Sequence, residues 1–395
     1  MVQAQRKQSG VQMPLKFDPW ILGASLCLAS LGLVMVLSAS LAIAEKEGLN
    51  PFYFAIKHAI ALGLGSLIGL VCLKVRAHNL EIVSPILLLL CVPLLLAVFV
   101  PGLGVTVNGA TRWVRTGILN FQVAEAVKLL FVIYLAGYMV RRNESLSTSF
   151  AGVLKPMVMS GILAALLLLQ PDFGSAVLLL CVTSIMVWLG GARIRDLLSL
   201  VIMAVPVVVW LAFSEAYRLK RLKSFLDPWA DPFDGGFQLT QALIAIGRGE
   251  IFGVGLGGSV QKLFYLPEAH NDFILAVLSE ELGLMGICVV LCLYAVLVGR
   301  GLVLGLHAQE NGKHFVGYLC YGLSTLIGLQ ATISIGVNFG VLPTKGLTLP
   351  LISSGGSSVL MTGAVIGLLL RMAHEINMPS NESAPRGKAS LEAVA

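Results

Sequence analysis

The chain has 395 residues, 57% hydrophobic and only 12% charged, with a mean hydropathy of +0.87; soluble domains carry about 25% charged residues, so a soluble fold is excluded and a polytopic membrane protein is implied. The net charge of +6 is modest, and no basic-aromatic patch points to nucleic acid. The cysteines (Cys27, Cys72, Cys91, Cys181, Cys288, Cys292 and Cys320) lie in apolar runs without CxxC or Cys/His zinc spacing, so neither a disulfide framework nor a metal cluster is indicated.

Residues 1–16 are polar, with Arg6, Lys7 and Lys16, and read as a cytoplasmic tail. The apolar run that follows is long enough to remain as a helix, so no cleavable signal peptide is expected. A span needs about 20 apolar residues, and on that criterion about ten are predicted: 19–43, 53–73, 82–100, 122–140, 155–169, 173–189, 196–213, 272–298, 315–337 and 357–372. The expected fold is an all-α polytopic membrane domain over 17–376. The fifth span stops at Gln170-Pro171-Asp172, where proline ends a helix. Residues 377–395 are small and polar and read as a disordered cytoplasmic tail.

Charge asymmetry sets the orientation. With the N-terminus inside, the inner segments hold Lys74, Arg76, Arg141, Arg142, Lys155, Arg193, Arg195, Arg300, Lys313 and Arg371 besides the tail. The short outer loops hold Lys46, Lys57, Arg112, Arg115 and Lys345. Both termini are therefore expected in the cytoplasm, and Asp272 at the outer face. Two outer loops, 101–121 and the large 214–271, are too long to be mere connectors, and long ordered loops are commonly functional. A third outer stretch, 338–358, is rich in Gly, Pro and Ser. The basic run Arg218, Lys220, Arg221 and Lys223 reads as an anchor near lipid phosphates.

Ionisable groups at a bilayer are costly and usually functional. Asp272 stands at the predicted start of the eighth span, two residues after His270. An aspartate there can act as a helix-terminal acid, accept a proton from a sugar hydroxyl, or hold a divalent cation. Glu280 and Glu281 follow eight and nine residues on, ~12–14 Å along a helix rising 1.5 Å per residue. That exceeds the ~5–5.5 Å of a retaining carboxylate pair, and salt-bridged structural acids are the plainer reading. Glu125 and Lys128, at i and i+3, share a helix face and can pair, either as a structural ion pair or facing a pyrophosphate. Arg112, Arg115 and Lys345 offer further donors for an anionic head group. Ser353, Ser354, Ser357 and Ser358 around Gly355-Gly356 can line a polar cavity or cap a helix. The glycines at 247–258 form no P-loop, and no hydrolase elbow is present.

Several long motifs occur in one order: NGATRWVRTGILNFQVAEAVKL, QPDFGSA, KSFLDPWADPFDGGFQLTQALIAIGRGEIFGVGLGGSVQKL, LPEAHNDFILAVLSEELG and LPTKGLTLPLISSGGSS. Together they resemble the SEDS family (shape, elongation, division and sporulation proteins), and LPEAH and PWADPF resemble its division members. The resemblance covers nearly everything from Phe17 to Met372. It implies an inverting glycosyltransferase that polymerises lipid II into peptidoglycan strands at the outer face of the bacterial inner membrane. The family's essential aspartate falls on Asp272, the glutamate and lysine of its QPSExxK motif on Glu125 and Lys128, and the lysine of its PTKG motif on Lys345. His270 and Ser358 join Arg112 as expected substrate-binding residues. The usual QPSE reads Gln122-Val123-Ala124-Glu125, and Phe264 stands where many division members have Glu.

The mechanism implied makes Asp272 the base that deprotonates the acceptor's 4-hydroxyl, with Lys128, Lys345, Arg112 or a divalent cation (Mg2+ or Mn2+) stabilising the departing pyrophosphate; no covalent cofactor is expected. The partner implied is a class B penicillin-binding protein, a transpeptidase, together with other division proteins. Two other classes compete: a transporter flipping lipid-linked precursor, with Glu280 and Glu281 as proton carriers, and a non-catalytic scaffold. The chain shows no inverted repeats of the transporter kind, which favours the enzyme.

Overall fold

Backbone polar groups in hydrocarbon must be satisfied within the segment, so long apolar runs can settle there only as helices. In a computed structural model the described residues are 17–107, 110–115, 120–213, 224–343 and 346–377. They form α1 (Pro19–Lys46), α2 (Tyr53–Cys72), α3 (Ala77–Ala97), α4 (Val123–Arg141), α5 (Asn143–Thr148), α6 (Phe150–Leu169), α7 (Phe173–Leu189), α8 (Ile194–Phe213), α9 (Phe237–Gly249), α10 (Ile274–Glu310), α11 (His314–Asn338) and α12 (Gly356–Ile376). Eight of these, α1 to α4, α6 and α10 to α12, are long and apolar enough to cross a membrane. The apolar helices α7, of 17 residues, and α8, of 20, lie at the predicted positions 173–189 and 196–213. The Gln170-Pro171-Asp172 break separates α6 from α7, and Asp172 caps α7 by accepting from the Ser175 N–H at 3.1 Å.

Helix α4 is the most enclosed span, with Phe131, Leu135 and Met139 in the core; it packs against α3, α7 and α11. Helices α2 and α12 meet backbone to backbone. A Cβ on Gly363 would lie 2.3 Å from the Gly65 carbonyl oxygen, so glycine is what permits the close approach. On the N-terminal side, Asp18 caps α1 and pairs with Arg300 at 2.8 Å.

Two features depart from the sequence expectation. The stretch 101–122, expected as an outer loop, contains a small antiparallel sheet, β1 (Gly104–Val107), β2 (Ala110–Arg115) and β3 (Asn120–Gln122), in the order β1-β2-β3 with Trp113 opposite Gln122. More consequential is α10. The predicted span from 272 is two pieces, because Gly283 takes φ 64° and ψ −163° and breaks the helix. A nine-residue arm, 274–282, precedes the break, and the lipid-length stretch runs on to Glu310 instead of stopping near 298. A helix break strands carbonyls on one side and amides on the other. The loop after α9 supplies partners to both. Val254 N donates to Glu280 O (2.9 Å) and Gly255 N to Glu281 O (3.0 Å), while Leu284 N donates to Glu250 O (3.0 Å) and Met285 N to Ile251 O (3.2 Å).

Candidate active site

Asp272 lies two residues before the arm, in the turn leading into it. The residue capping the arm is Phe273, which has no side-chain oxygen to offer, so the capping is done from outside. Asn338, the last residue of α11, accepts from Ala276 N at 3.1 Å through Oδ1 and donates through Nδ2 to Asp272 O at 3.0 Å and Ser334 O at 2.9 Å. The serine-glycine segment holds the other side of the turn: Ser353 Oγ donates to Asn271 O at 2.7 Å and Ser354 N to His270 O at 3.2 Å. The Asp272 side chain is half-buried. A Cβ at Gly346 would come within 3.3 Å of Asp272 Oδ2, so a small residue keeps that flank of the carboxylate uncrowded.

His270 packs its ring on Phe54 of α2, centroid to centroid 4.9 Å. Burial lowers its pKa from the ordinary 6.5, against the opposing pull of Glu268 and Glu47, so the ring is neutral at neutral pH. Its Nδ1 is buried with no hydrogen-bond partner among the described residues.

The predicted Glu125–Lys128 pair forms, at 2.8 Å, with Lys128 only 1% exposed. Lys128 Nζ also donates to Gln330 Oε1 at 3.0 Å, and Gln330 Nε2 donates to Ser358 Oγ at 3.1 Å and Thr348 O at 3.2 Å. A cavity of about 10 Å3 lies against Lys128, room for about one water. Lys128 is thus sealed from solvent, and contact with a substrate requires this pocket to open. The serine-glycine segment is common ground. Ser353 and Ser354 hold the acid-bearing turn, Ser357 Oγ accepts from Gln122 N at the head of α4 (2.9 Å), and Ser358 meets the Lys128 network. These serines neither cap α12, whose cap is Gly355 without a side-chain bond, nor simply line a cavity.

Arg112 is engaged elsewhere: Nε donates to Gln170 O at 3.3 Å and Nη2 to Pro171 O, fastening β2 to the α6–α7 turn. Lys345 and the run Arg218 to Lys223 lie outside the described residues. Glu280 and Glu281 are fully buried, and both are salt-bridged as expected. Glu280 pairs with Arg248 (2.8 Å) and accepts from Ser259 Oγ (2.5 Å) and Val260 N (3.1 Å). Glu281 pairs with Lys262 (2.7 Å) and accepts from Ser38 Oγ of α1. Removing either partner of such a buried pair leaves an uncompensated charge, so both acids have a structural task.

As for a divalent cation at Asp272, no three of His, Cys, Asp or Glu come together as a ligand set among the described residues. An Mg2+ ion bound by one carboxylate relies on substrate phosphates and water for its other ligands. The protein donors among the described residues do not by themselves make a metal site.

Sequence reasoning missed Asn338, Gln330 and Ser38. Gln330 and Ser38 are neutral polar residues inside predicted apolar spans, and Asn338 continues the Gln330–Ser334 spacing of four one residue past the predicted end of its span; that recurrence was the available signal.

The family model described as cell cycle protein, FtsW/RodA/SpoVE, matches residues 20–378. A probable peptidoglycan glycosyltransferase FtsW from Xanthomonas oryzae is 49% identical over 377 residues, covering 95% of this chain and 77% of that one. Its counterpart from Legionella pneumophila is 47% identical over 359 residues, 91% of each chain. Among solved structures, the rod shape determining protein RodA of Thermus thermophilus matches with a TM-score of 0.66 at 27% identity, covering 92% of this chain and 99% of that one. A chain from a structure described as the structural coordination of polymerization and crosslinking by a peptidoglycan synthase complex matches with a TM-score of 0.75 at 28% identity, covering 92% of this chain and all of that one. The chain is an integral membrane protein of the FtsW/RodA/SpoVE family, the SEDS family.

Proposed function

We propose that this protein is an inverting peptidoglycan glycosyltransferase that polymerises lipid II at the outer face of the bacterial inner membrane during cell division, with Asp272 as general base. The observation that carries the assignment is the acid-bearing turn, gripped by Asn338 on one side and the serine-glycine segment on the other, in a chain whose relatives are named as probable peptidoglycan glycosyltransferases.

Asp272 takes the proton of the acceptor GlcNAc 4-hydroxyl. The oxygen attacks the anomeric carbon of the MurNAc that ends the growing strand, from the face opposite the pyrophosphate. One carbon–oxygen bond forms as the bond to the lipid pyrophosphate breaks, and the electron pair leaves with the phosphate. A single displacement needs one carboxylate; Glu280 and Glu281 are bound in ion pairs on the arm. Lys345, and Lys128 and Arg112 on exchanging their protein partners for phosphate oxygens, stabilise the leaving charge. His270, and Ser358 once the sealed Lys128 pocket opens, complete the substrate-contacting set.

An apolar groove of about 300 Å3 between α1, α2 and α12 offers a seat for part of a polyprenyl chain. Leu351, on its wall, belongs to the turn from which Ser353 reaches Asn271. The assembly partner in this reading is a class B penicillin-binding protein, supported by the similarity to the synthase-complex chain, with the division septum as the working location.

The test is polymerisation of purified lipid II in detergent. A general base contributes about 10²–10⁴-fold, so Asp272→Ala and Asp272→Asn are expected to lose at least about a hundredfold in rate with unchanged thermal unfolding. Near wild-type rates in either variant remove Asp272 from the role. A chelator arm reports whether a divalent cation contributes.

A further inference from the structure

We infer that Asn338 is the positioning residue for Asp272, setting the direction of its carboxylate through the main chain without touching substrate. This inference rests on Asp272 being the base. Asn338 is completely buried, and its amide uses all of its hydrogens and its oxygen on protein. One Nδ2 hydrogen anchors it to its own helix at Ser334 O, the other holds Asp272 O, and Oδ1 takes the third amide of the arm, Ala276 N. It therefore fastens the main chain at residue 272 and again four residues on.

The arm needs such a partner. The first amides of a helix lack intrahelical acceptors, and a Ser, Thr, Asp or Asn at the N-cap ordinarily supplies one. Phe273 occupies that place and cannot. Asn338 supplies that side-chain acceptor from a neighbouring helix, alongside Phe273 O, which Ala276 N also reaches at 3.0 Å, and its Nδ2 fixes the peptide plane that follows the acid. With Ser353 Oγ on Asn271 O, the carbonyls of the two successive residues 271 and 272 are each held by a buried side chain. Rotation of the two peptide planes that flank Asp272 is thereby restrained. Near-attack geometry is sensitive at this level, since a misplacement of about 1 Å can cost 10²-fold in rate.

The experiment measures lipid II polymerisation by purified full-length protein carrying Asn338→Leu, Asn338→Asp or Asn338→Ser, beside wild type, Asp272→Ala and the remote buried control Ser160→Ala. The Leu variant has similar size and no hydrogen bonds. The Asp variant keeps the Ala276 acceptor but, ionised, loses both donors. The expected result is a kcat at least about thirtyfold down in the Leu and Asp variants, with KM within about threefold, the kcat–KM signature of an interaction realised only in the transition state. Asn338→Ser, which keeps a donor, is expected to recover part of the loss. Thermal unfolding and light-scattering mass identify any variant that has simply failed to fold, and the Ser variant then carries the kcat comparison. A kcat within threefold of wild type in folded Leu and Asp variants, with Asp272→Ala inactive, overturns the positioning role alone. An active Asp272→Ala overturns the base assignment instead.

Discussion

Lys128 shows what burial does to a charge. With 1% of its surface exposed it depends on Glu125 at 2.8 Å and on Gln330 at 3.0 Å. Removing one member of a buried pair strands the other and costs about 3–5 kcal/mol, whereas replacing both by neutral residues of similar size is often near neutral. Lys128→Met alone is therefore expected to lower the unfolding temperature in detergent well below that of the Glu125→Gln/Lys128→Met double variant. Polymerisation is expected to stay low in the double variant, because Gln330 has lost the ammonium that orients it toward Ser358. Full activity in a restabilised double variant would reduce the pair to a structural one. The Glu125–Lys128 contact was legible because it is local, three residues apart on one helix face. Gln330 lies 202 residues from Lys128 and Asn338 lies 66 from Asp272; nothing local in a sequence reports such partners.

At the scale of elements, the lesson is in α10. The apolar run resumes directly after the two acids of LSEELGLMG, and a lone glycine in a helical pattern is tolerated, so Gly283 itself gave no sign of a break. The two glutamates were the better clue, since acids in an apolar run need partners close by. Those partners arrive on α9 and the loop after it: Arg248 from the last turn of α9, Ser259 and Lys262 from the loop, with Ser38 from α1. Loop and arm thus form one unit, paired through main chain across the break and through two ion pairs beneath it. A Cβ on Gly283 would lie 2.4 Å from Gly253 N, and the positive φ there is unfavourable for any other residue. Gly283→Ala is expected to pry loop from arm, exposing 249–262 to limited proteolysis and lowering polymerisation at least tenfold. Lys262→Met, which strands Glu281, is expected to do the same. Wild-type resistance to protease in both variants would show that the unit is held by something else.

For the whole molecule, the direction in which the chain is threaded decides whether any of this chemistry reaches a cell wall. Helix positions were nearly all readable from hydropathy, because the bilayer imposes a minimum length that a soluble core does not. Orientation rests on a different force, the bias of lysine and arginine toward the cytoplasmic loops. Arg195 and Tyr265 are suitable reporters, being exposed and lying on opposite ends of the region between α7 and α10. In a background with the native cysteines replaced, Tyr265→Cys is expected to react with a membrane-impermeant maleimide on intact spheroplasts. Arg195→Cys is expected to react only after the membrane is opened. Tyr265 is seven residues from Asp272, on the same loop that pairs with the arm, so its label reports the side on which the acid stands. The opposite pattern would put the carboxylate in the cytosol, on the wrong side of the membrane from the polymer it is proposed to extend.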